Sequence, residues 1–495
     1  MRLFALTFLI GLVLLPTRAF SGTPLAEQSL IRDAEIEDVL KSYITPIFNA
    51  AKLDPKSLHL YVIYSKDVNA MAMGGGKIGV FTGLILRATS ALQIIGVLAH
   101  ETAHLVGHHT VKGGEAYEQA LLQHLLGTLG GIVAGTVLKN PELGQAILMG
   151  SEDIAMRGLL KFSRTQEGSA DQGATRFLDS LQWSSRGLLE FLEMLHKDDF
   201  LIARDLDPYL ITHPPTPERS DFLRNHVSKS LYAKAPLPEP FEENFKRIKT
   251  KIGAFTESLP KTLSRFKPTD NSLFARYARA IAYSQASQET EALEELDSLL
   301  TDYPKDAFFW DLKGQILFES GKIQEAIAAY EKAISFRPEI PLLRLNLAHA
   351  LLESGNEKFL EKIYTELLRV RMEEPDNPFT YHLLAIYYGK TGKTGLAALS
   401  LAEMSLEIGN LPQAEKQAKR ALHLLKGDEV NRQHATRVLE EVEKLKEKES
   451  SWLGGFSPTS TLEPHSWWNI QSGKPHPDEG MCESCGRPER LLQIP

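Results

Sequence analysis

Ala91-Leu92-Gln93-Ile94-Ile95-Gly96-Val97-Leu98-Ala99-His100-Glu101-Thr102-Ala103-His104-Leu105 is the stretch from which the rest of the chain is read. Leu92, Ile95, Leu98, Ala99 and Leu105 recur at helical spacing and predict an apolar stripe, and Ser90 with Gln93 has the spacing of a capping box at its start. Residues four apart share one face of a helix, so His100 and His104 can turn both imidazoles toward a single metal ion. Glu101 projects beside them, where it can take a proton from an attacking water. Such a five-residue pattern also recurs by chance, so it needs a second element.

Ser163-Arg164-Thr165-Gln166-Glu167-Gly168-Ser169-Ala170-Asp171 supplies that element. Ser163 and Gln166 have capping-box spacing and open a helix expected to reach about Asp179. A catalytic zinc takes three protein ligands and keeps one position open. Glu167 is the expected third ligand beside His100 and His104, giving one Zn2+ per chain. Asp171, one turn further on, is expected to accept the outer N–H of a ligand histidine and so fix its tautomer. His108 and His109 follow at the C-terminal end of the first helix, where polar or positive groups suit the helix dipole, and are read as structural.

Upstream, Ser29 to Ala51 is amphipathic and predicts a helix, with Asp33, Glu35, Glu37 and Asp38 near its start. Leu58 to Tyr64 is aromatic and β-branched and predicts a strand. A second extended piece, Asn69 to Met73, leads through Gly74-Gly75-Gly76 into Lys77 to Phe81, the pattern of a hairpin. Asn69, Ala70, Met71 and Ala72 are candidates for an edge to which an extended substrate adds by main-chain pairing; the competing reading is a fully paired core strand. Downstream, Leu188 to Lys197 predicts a helix, and the prolines around His213-Pro214-Pro215-Thr216-Pro217 predict a rigid loop.

Beyond about Ser272 the sequence becomes periodic. Pro304 and Pro338 are 34 residues apart, as are Ala292 and Ala326, and Gly321 and Gly355. Trp310, Gly314, Leu317, Gly321, Ala326, Tyr330, Ala333 and Pro338 occupy tetratricopeptide positions in the best copy. The fold expected is mainly α with a small β-sheet: a zincin-like metalloprotease domain over 22–250, then an α-solenoid of tetratricopeptide repeats over 251–449. Such arrays offer concave surfaces to protein partners.

In Met1 to Gly22 a single basic residue, Arg2, precedes an apolar run from Leu3 to Leu15, which Pro16 breaks before Thr17-Arg18-Ala19. That reads as a secretory signal peptide over 1–21, and places the expected product in the periplasm of a Gram-negative bacterium. The net charge is -8 and no basic stripe stands out, so nucleic acid is not an expected partner. The two cysteines, Cys482 and Cys485, fall in the Gly-, Pro- and Ser-rich tail over 450–495, which is expected to be poorly ordered. No disulfide framework holds the fold; a local disulfide is favoured over half of a zinc ribbon with His476.

His100 to His104, Ser163 to Asp171 and Thr212-His213-Pro214-Pro215-Thr216-Pro217-Glu218-Arg219 together resemble the gluzincin metallopeptidases of the CAAX prenyl protease and HtpX type. With the leader and the repeats, the chain is most similar to the periplasmic, tetratricopeptide-containing branch of that family. The resemblance covers about Ile31 to Leu223, and the repeats in outline. It implies an endopeptidase with one zinc, protein substrates, and contact with outer-membrane assembly machinery through the repeats. In that branch the histidine matching His213 can take the open metal position and displace the catalytic water. The other readings of His213 are a catalytic donor to the developing oxyanion, and a loop-packing residue. In HtpX-like relatives the region matching Leu121 to Leu138 spans the membrane. Here Gln123, His124, four glycines and two threonines dilute the run, and a helix or re-entrant lid with peripheral membrane contact is expected. The resulting function is a cell-envelope zinc endopeptidase that degrades misfolded or misassembled outer-membrane proteins. The alternative is a chaperone or assembly scaffold in which proteolysis is secondary or repressed.

Overall fold

The computed structural model describes residues 29–109, 164–199, 213–214 and 216–454. The leader over 1–21, the run over 121–138, the cap at Ser163, Pro215, Cys482, Cys485 and the tail beyond 454 lie outside the described residues.

Ser29-Leu30-Ile31 does not open a helix. It is strand β1 (Ser29–Ile31), antiparallel to β2 (His59–Tyr64), with Ser29 opposite Tyr64. The helix α1 (Ala34–Ala50) starts only after Asp33, whose side chain accepts from Glu35 N and Ile36 N. A cap of this kind fixes the first turn and leaves the preceding residues free to pair with a strand. The glycine turn joins β3 (Ala70–Met73) to β4 (Lys77–Phe81), with Gly75 and Gly76 at positive φ. β4 runs parallel to β2, and the sheet order is β1-β2-β4-β3. β3 is thus an edge strand: among the described residues no other strand pairs with its outer side.

The helices that follow are α2 (Thr82–Arg87), α3 (Ala91–Val106), α4 (Arg164–Ser180), α5 (Arg186–Asp199), α6 (Pro217–Lys229), α7 (Phe241–Thr256) and α8 (Leu259–Arg265). The metal-motif helix α3 is buried nearly all round, not along one stripe. Ile94 and Val97 are as inaccessible as Ile95 and Leu98, whereas Leu92 and Leu105 are half-buried. The cause is its central place, packed by α1, α4, α5 and β3. Its start is tied down by one local and one tertiary contact. Ser90 stands at the N-cap without a side-chain hydrogen bond, Gln93 Oε1 accepts from Thr89 N at 2.8 Å, and Glu242 Oε2 accepts from Ala91 N at 3.0 Å.

The repeat region comprises α9 (Leu273–Gln285), α10 (Glu289–Asp302), α11 (Ala307–Glu319), α12 (Ile323–Phe336), α13 (Pro341–Glu353), α14 (Leu360–Glu373), α15 (Pro378–Lys390), α16 (Thr394–Glu407) and α17 (Leu411–Leu424). Each packs on the next, and α18 (Glu429–Gly454) covers α16 and α17. Helix α7 runs across the expected boundary at 250/251. Phe245, Ile248 and Ile252 belong to the core around α3, while Ala254 and Phe255 belong to the core of the first repeat helices. The two regions therefore share an element.

They also share a polar seam, buried at Asp33, Glu35 and Lys251 and partly exposed toward its ends. Lys251 Nζ lies 2.7 Å from Asp33 Oδ2, Arg247 Nε donates to Glu35 Oε1 at 2.8 Å, and the Tyr277 hydroxyl donates to Glu35 Oε2. Arg337 pairs with Asp38, Arg32 with Glu374, and His59 with Asp376. Ile408 packs with Leu30, Ile63 and Phe81 on the outer face of the sheet. Asp311 on α11 is buried in the same region, accepts from Asn346 Nδ2 at 3.0 Å, and has its carboxyl pushed up by burial to about 7, with Lys251 pulling it down. The folded chain thus keeps a proton here that the unfolded chain sheds near pH 4, so this group costs stability as pH rises from about 4 to about 7. Asp311→Asn, neutral at every pH, should melt above the wild type at pH 8, by an amount equivalent to at most about 4 kcal/mol. The difference should close as the comparison is moved to pH 4. A variant melting below the wild type at both values would show that the carboxylate is needed ionised.

Candidate metal centre

Two helices and one loop bring the site together. His100, Glu101 and His104 stand on α3, and Glu167 and Asp171 on α4. Close approach of these helices depends on small residues: a Cβ added at Gly173 on α4 would lie 2.6 Å from the Cβ of Ala103. His213 comes from the loop before α6, where Thr216 caps the helix by accepting from Arg219 N and Pro217 takes the first turn. His100, Glu101, His104, Glu167 and Asp171 are closed to solvent, or nearly so, and so is His213.

The donor atoms converge. One ligand atom each from His100, His104, Glu167 and His213 fall within 4.8 Å of one another. His104 Nε2 is 3.0 Å from His100 Nε2 and 3.2 Å from Glu167 Oε1, and His100 Nε2 is 3.4 Å from Glu167 Oε2. His213 Nδ1 is 3.1 Å from Glu167 Oε1, and its Nε2 is 3.5 Å from Glu101 Oε1. The outer nitrogen of His100, Nδ1, lies 3.0 Å from Asp171 Oδ1.

Electrostatics suit a cation here. Burial works against a charged His100, yet its hydrogen bonds to Asp171 and Glu167 outweigh this and raise it to about 9. Burial lowers His104 to about 3, with His100 and His213 adding to the effect and Glu167 opposing it. Burial would raise Glu167, but His213, His100 and His104 together hold it well below the usual carboxylate range. Asp171 is likewise held down, chiefly by Arg219 and His100 against burial. Glu101 is raised, by burial above all. Glu101 Oε1 is buried and accepts no hydrogen bond of good geometry, while Glu167 Oε2 faces the Arg219 guanidinium as well as His100. Imidazoles and an ionised carboxylate facing one buried point form the donor set that zinc takes.

The candidate substrate strand reaches the same point. Phe81 N donates to Asn69 O, while Ala72 N donates to Glu101 Oε2 at 2.8 Å. Main-chain groups alternate along a strand, so Ala70 and Ala72 face away from β4 toward the open edge, and Met71 faces β4. Asn69 precedes the strand with its side-chain Oδ1 buried and unbonded.

Arg219 is a site residue that the sequence reading passed over. Its guanidinium forks onto Asp171, with Nε 2.7 Å from Oδ2 and Nη2 2.9 Å from Oδ1. Nη1 lies 2.6 Å from Glu167 Oε2 and donates to the carbonyls of His213, at 3.3 Å, and Pro214, at 3.2 Å. One buried cation thus ties the His213 loop to Glu167 and Asp171 of α4. The signal was present in Thr212 to Arg219, but a charged residue in the first turn of a helix reads as a solvated face.

A pair of histidines one helical turn apart, a carboxylate from a second helix and a free carboxylate beside them define a metallopeptidase centre. Residues 31–227 match the model of peptidase family M48, and residues 314–355 that of a TPR repeat, so the chain carries an M48 metallopeptidase region followed by tetratricopeptide repeats. Along most of its length it is similar to proteins named Beta-barrel assembly-enhancing protease. That of Yersinia pestis is 26% identical over 389 residues, covering 76% of this chain and 78% of the relative. That of Escherichia coli (strain K12) is 24% identical over 416 residues, covering 79% and 83%. The mitochondrial metalloendopeptidase OMA1 of Bos taurus is 31% identical over 185 residues, 35% of this chain and 33% of the relative.

Proposed function

We propose that this chain is an exported endopeptidase of the bacterial periplasm that binds one zinc through His100, His104 and Glu167 and removes misfolded or misassembled outer-membrane proteins. The observation that carries the reading is the buried convergence of those three residues beside Glu101 and an open strand edge. The client class is supported by the relatives named for β-barrel assembly, and export by the apolar leader. The repeats are the surface that recruits clients. Among the described residues no helix is long and apolar enough to cross a membrane.

When bound, the zinc supplies Lewis-acid chemistry, acidifying water and polarising the scissile carbonyl. Glu101 is the general base. Ala72 N holds one of its oxygens and leaves the other free to take the proton from the attacking water and pass it to the leaving amine. Burial raises its pKa, which brings it nearer the value at which a base works well around neutrality. Asp171 holds the outer nitrogen of His100, and Arg219 holds Asp171 and Glu167 in turn. An extended substrate pairs with β3 through the main chain of Ala70 and the carbonyl of Ala72, whose N–H is taken by Glu101, and this sets the scissile bond against Glu101.

A second reading is favoured by one observation. His213 joins the donor set, and four protein donors would leave no open position for catalysis. On this reading the conformation described is a resting one, and the chain serves partly as a scaffold whose proteolysis is repressed until His213 withdraws.

Substrate trapping tests the client class. Full-length Glu101→Gln protein expressed in the parent cell should retain outer-membrane β-barrel proteins and release them when Glu167→Ala is added. Recovery of soluble periplasmic proteins alone would remove the outer-membrane assignment.

A further inference from the structure

The C-terminal end of α3 closes in an unusual way. Gly107 N donates to Ala103 O at 2.9 Å and His108 N to Leu105 O at 3.2 Å. His108 then adopts a φ of 48°, the left-handed region that a residue with a Cβ enters only at a cost of about 1–2 kcal/mol. This reversal sends the chain back over the helix. His109 N donates to His104 O at 3.0 Å, and the His109 ring returns to the His104 ring, with centroids 5.2 Å apart at 73°. His109 Nδ1 lies 3.2 Å from His104 Nδ1. The ring rests directly on Gly107, where an added Cβ would stand 2.6 Å from His109 Nε2 and 2.7 Å from Cε1.

We propose that His109 is a positioning residue of the metal centre, accepting the outer N–H of His104 and so fixing the tautomer and ring plane in which His104 presents Nε2 to the metal. The proposal rests on the reading of His104 as a zinc ligand. Its geometry parallels the other half of the pair. His104 Nε2 points into the donor set, which leaves Nδ1 to carry the proton. His100 is arranged in the same way, with Asp171 at its Nδ1. Outer partners of this kind fix ring orientation, and their loss commonly costs 10–100-fold in metal affinity. A neutral imidazole fills the role at His104 where a carboxylate fills it at His100. The local sequence Gly107-His108-His109 is what delivers that imidazole: a residue without a side chain, a left-handed turn, and the acceptor. His109 thus has a role beyond favourable placement at the helix end.

The test uses the full chain in four variants, with zinc affinity measured by competition against a chromogenic chelator. Visible absorption of the cobalt-substituted protein and melting of the metal-free protein are recorded alongside. His109→Phe keeps a ring of similar bulk without an acceptor. It should weaken zinc about 10–100-fold and shift the cobalt bands, while metal-free melting stays at the wild-type value. His109→Asn offers Oδ1 near where Nδ1 stands, and should recover most of the affinity and the cobalt spectrum. Gly107→Ala, which displaces the ring and leaves His109 in the chain, should resemble His109→Phe. Wild-type affinity and spectrum in His109→Phe would overturn the proposal. So would equal losses in His109→Phe and His109→Asn accompanied by a matching fall in metal-free melting, since packing alone would then explain them. His104→Ala separates the two levels: unchanged zinc affinity there would overturn the ligand assignment itself.

Discussion

Glu101→Gln should lower peptide hydrolysis by about 10²–10⁴-fold, the range expected for loss of a general base, while zinc content stays at the wild-type level. Glu101 sits on the same helix as His100 and His104, yet it stands outside the four-donor set. One of its oxygens accepts from Ala72 N, and the other is buried with no hydrogen bond of good geometry. Glutamine preserves shape and the acceptor toward Ala72, and removes only the capacity to take a proton. Kinetics with a quenched peptide and metal analysis of the same preparation check both halves. Residual hydrolysis within about threefold of the wild type would assign the base elsewhere.

His213→Ala should retain zinc and raise cleavage of loosely folded proteins several-fold. His213 is buried, and its ring centroid lies 5.3 Å from those of both His100 and His104. Arg219 holds the carbonyls of His213 and Pro214, so the loop is fastened over the donors. A substrate carbonyl must compete with such a side chain for its place, and removing the competitor raises turnover. An oxyanion donor would behave in the opposite way, with loss of about 10²–10³-fold in the catalytic constant at unchanged zinc. Casein cleavage and zinc content measured together distinguish the two, and the fall would reject gating.

Much of this was legible in residues close in sequence. The helix over Ala91–Val106, the strand over His59–Tyr64 and the glycine turn depend on local spacing and turn chemistry, and they fall where the pattern puts them. The repeat helices follow from a 34-residue period for the same reason. What depends on partners far along the chain was not legible. Ser29–Ile31 became a strand because β2 offered it an edge, and the first turn of α3 is satisfied by Glu242, 151 positions away. The seam between Asp33, Glu35 and Lys251 joins ordinary charged residues that nothing in the sequence marks as buried. The candidate site divides along the same line. His100, Glu101, His104, Glu167 and Asp171 stand in two short motifs, and the structure gathers them. Arg219 and His109 matter through contacts whose chemistry appears only once the loop at 213 and the end of α3 are folded back onto the histidines.

Zinc content of the purified full-length chain, by mass spectrometry against protein concentration, tests whether His100, His104 and Glu167 hold the metal. The wild-type chain should carry close to one zinc, and Glu167→Ala/His213→Ala close to none, because only His100 and His104 remain of the donor set and two histidines alone hold the metal poorly. Full zinc occupancy in that double variant would contradict the ligand assignment.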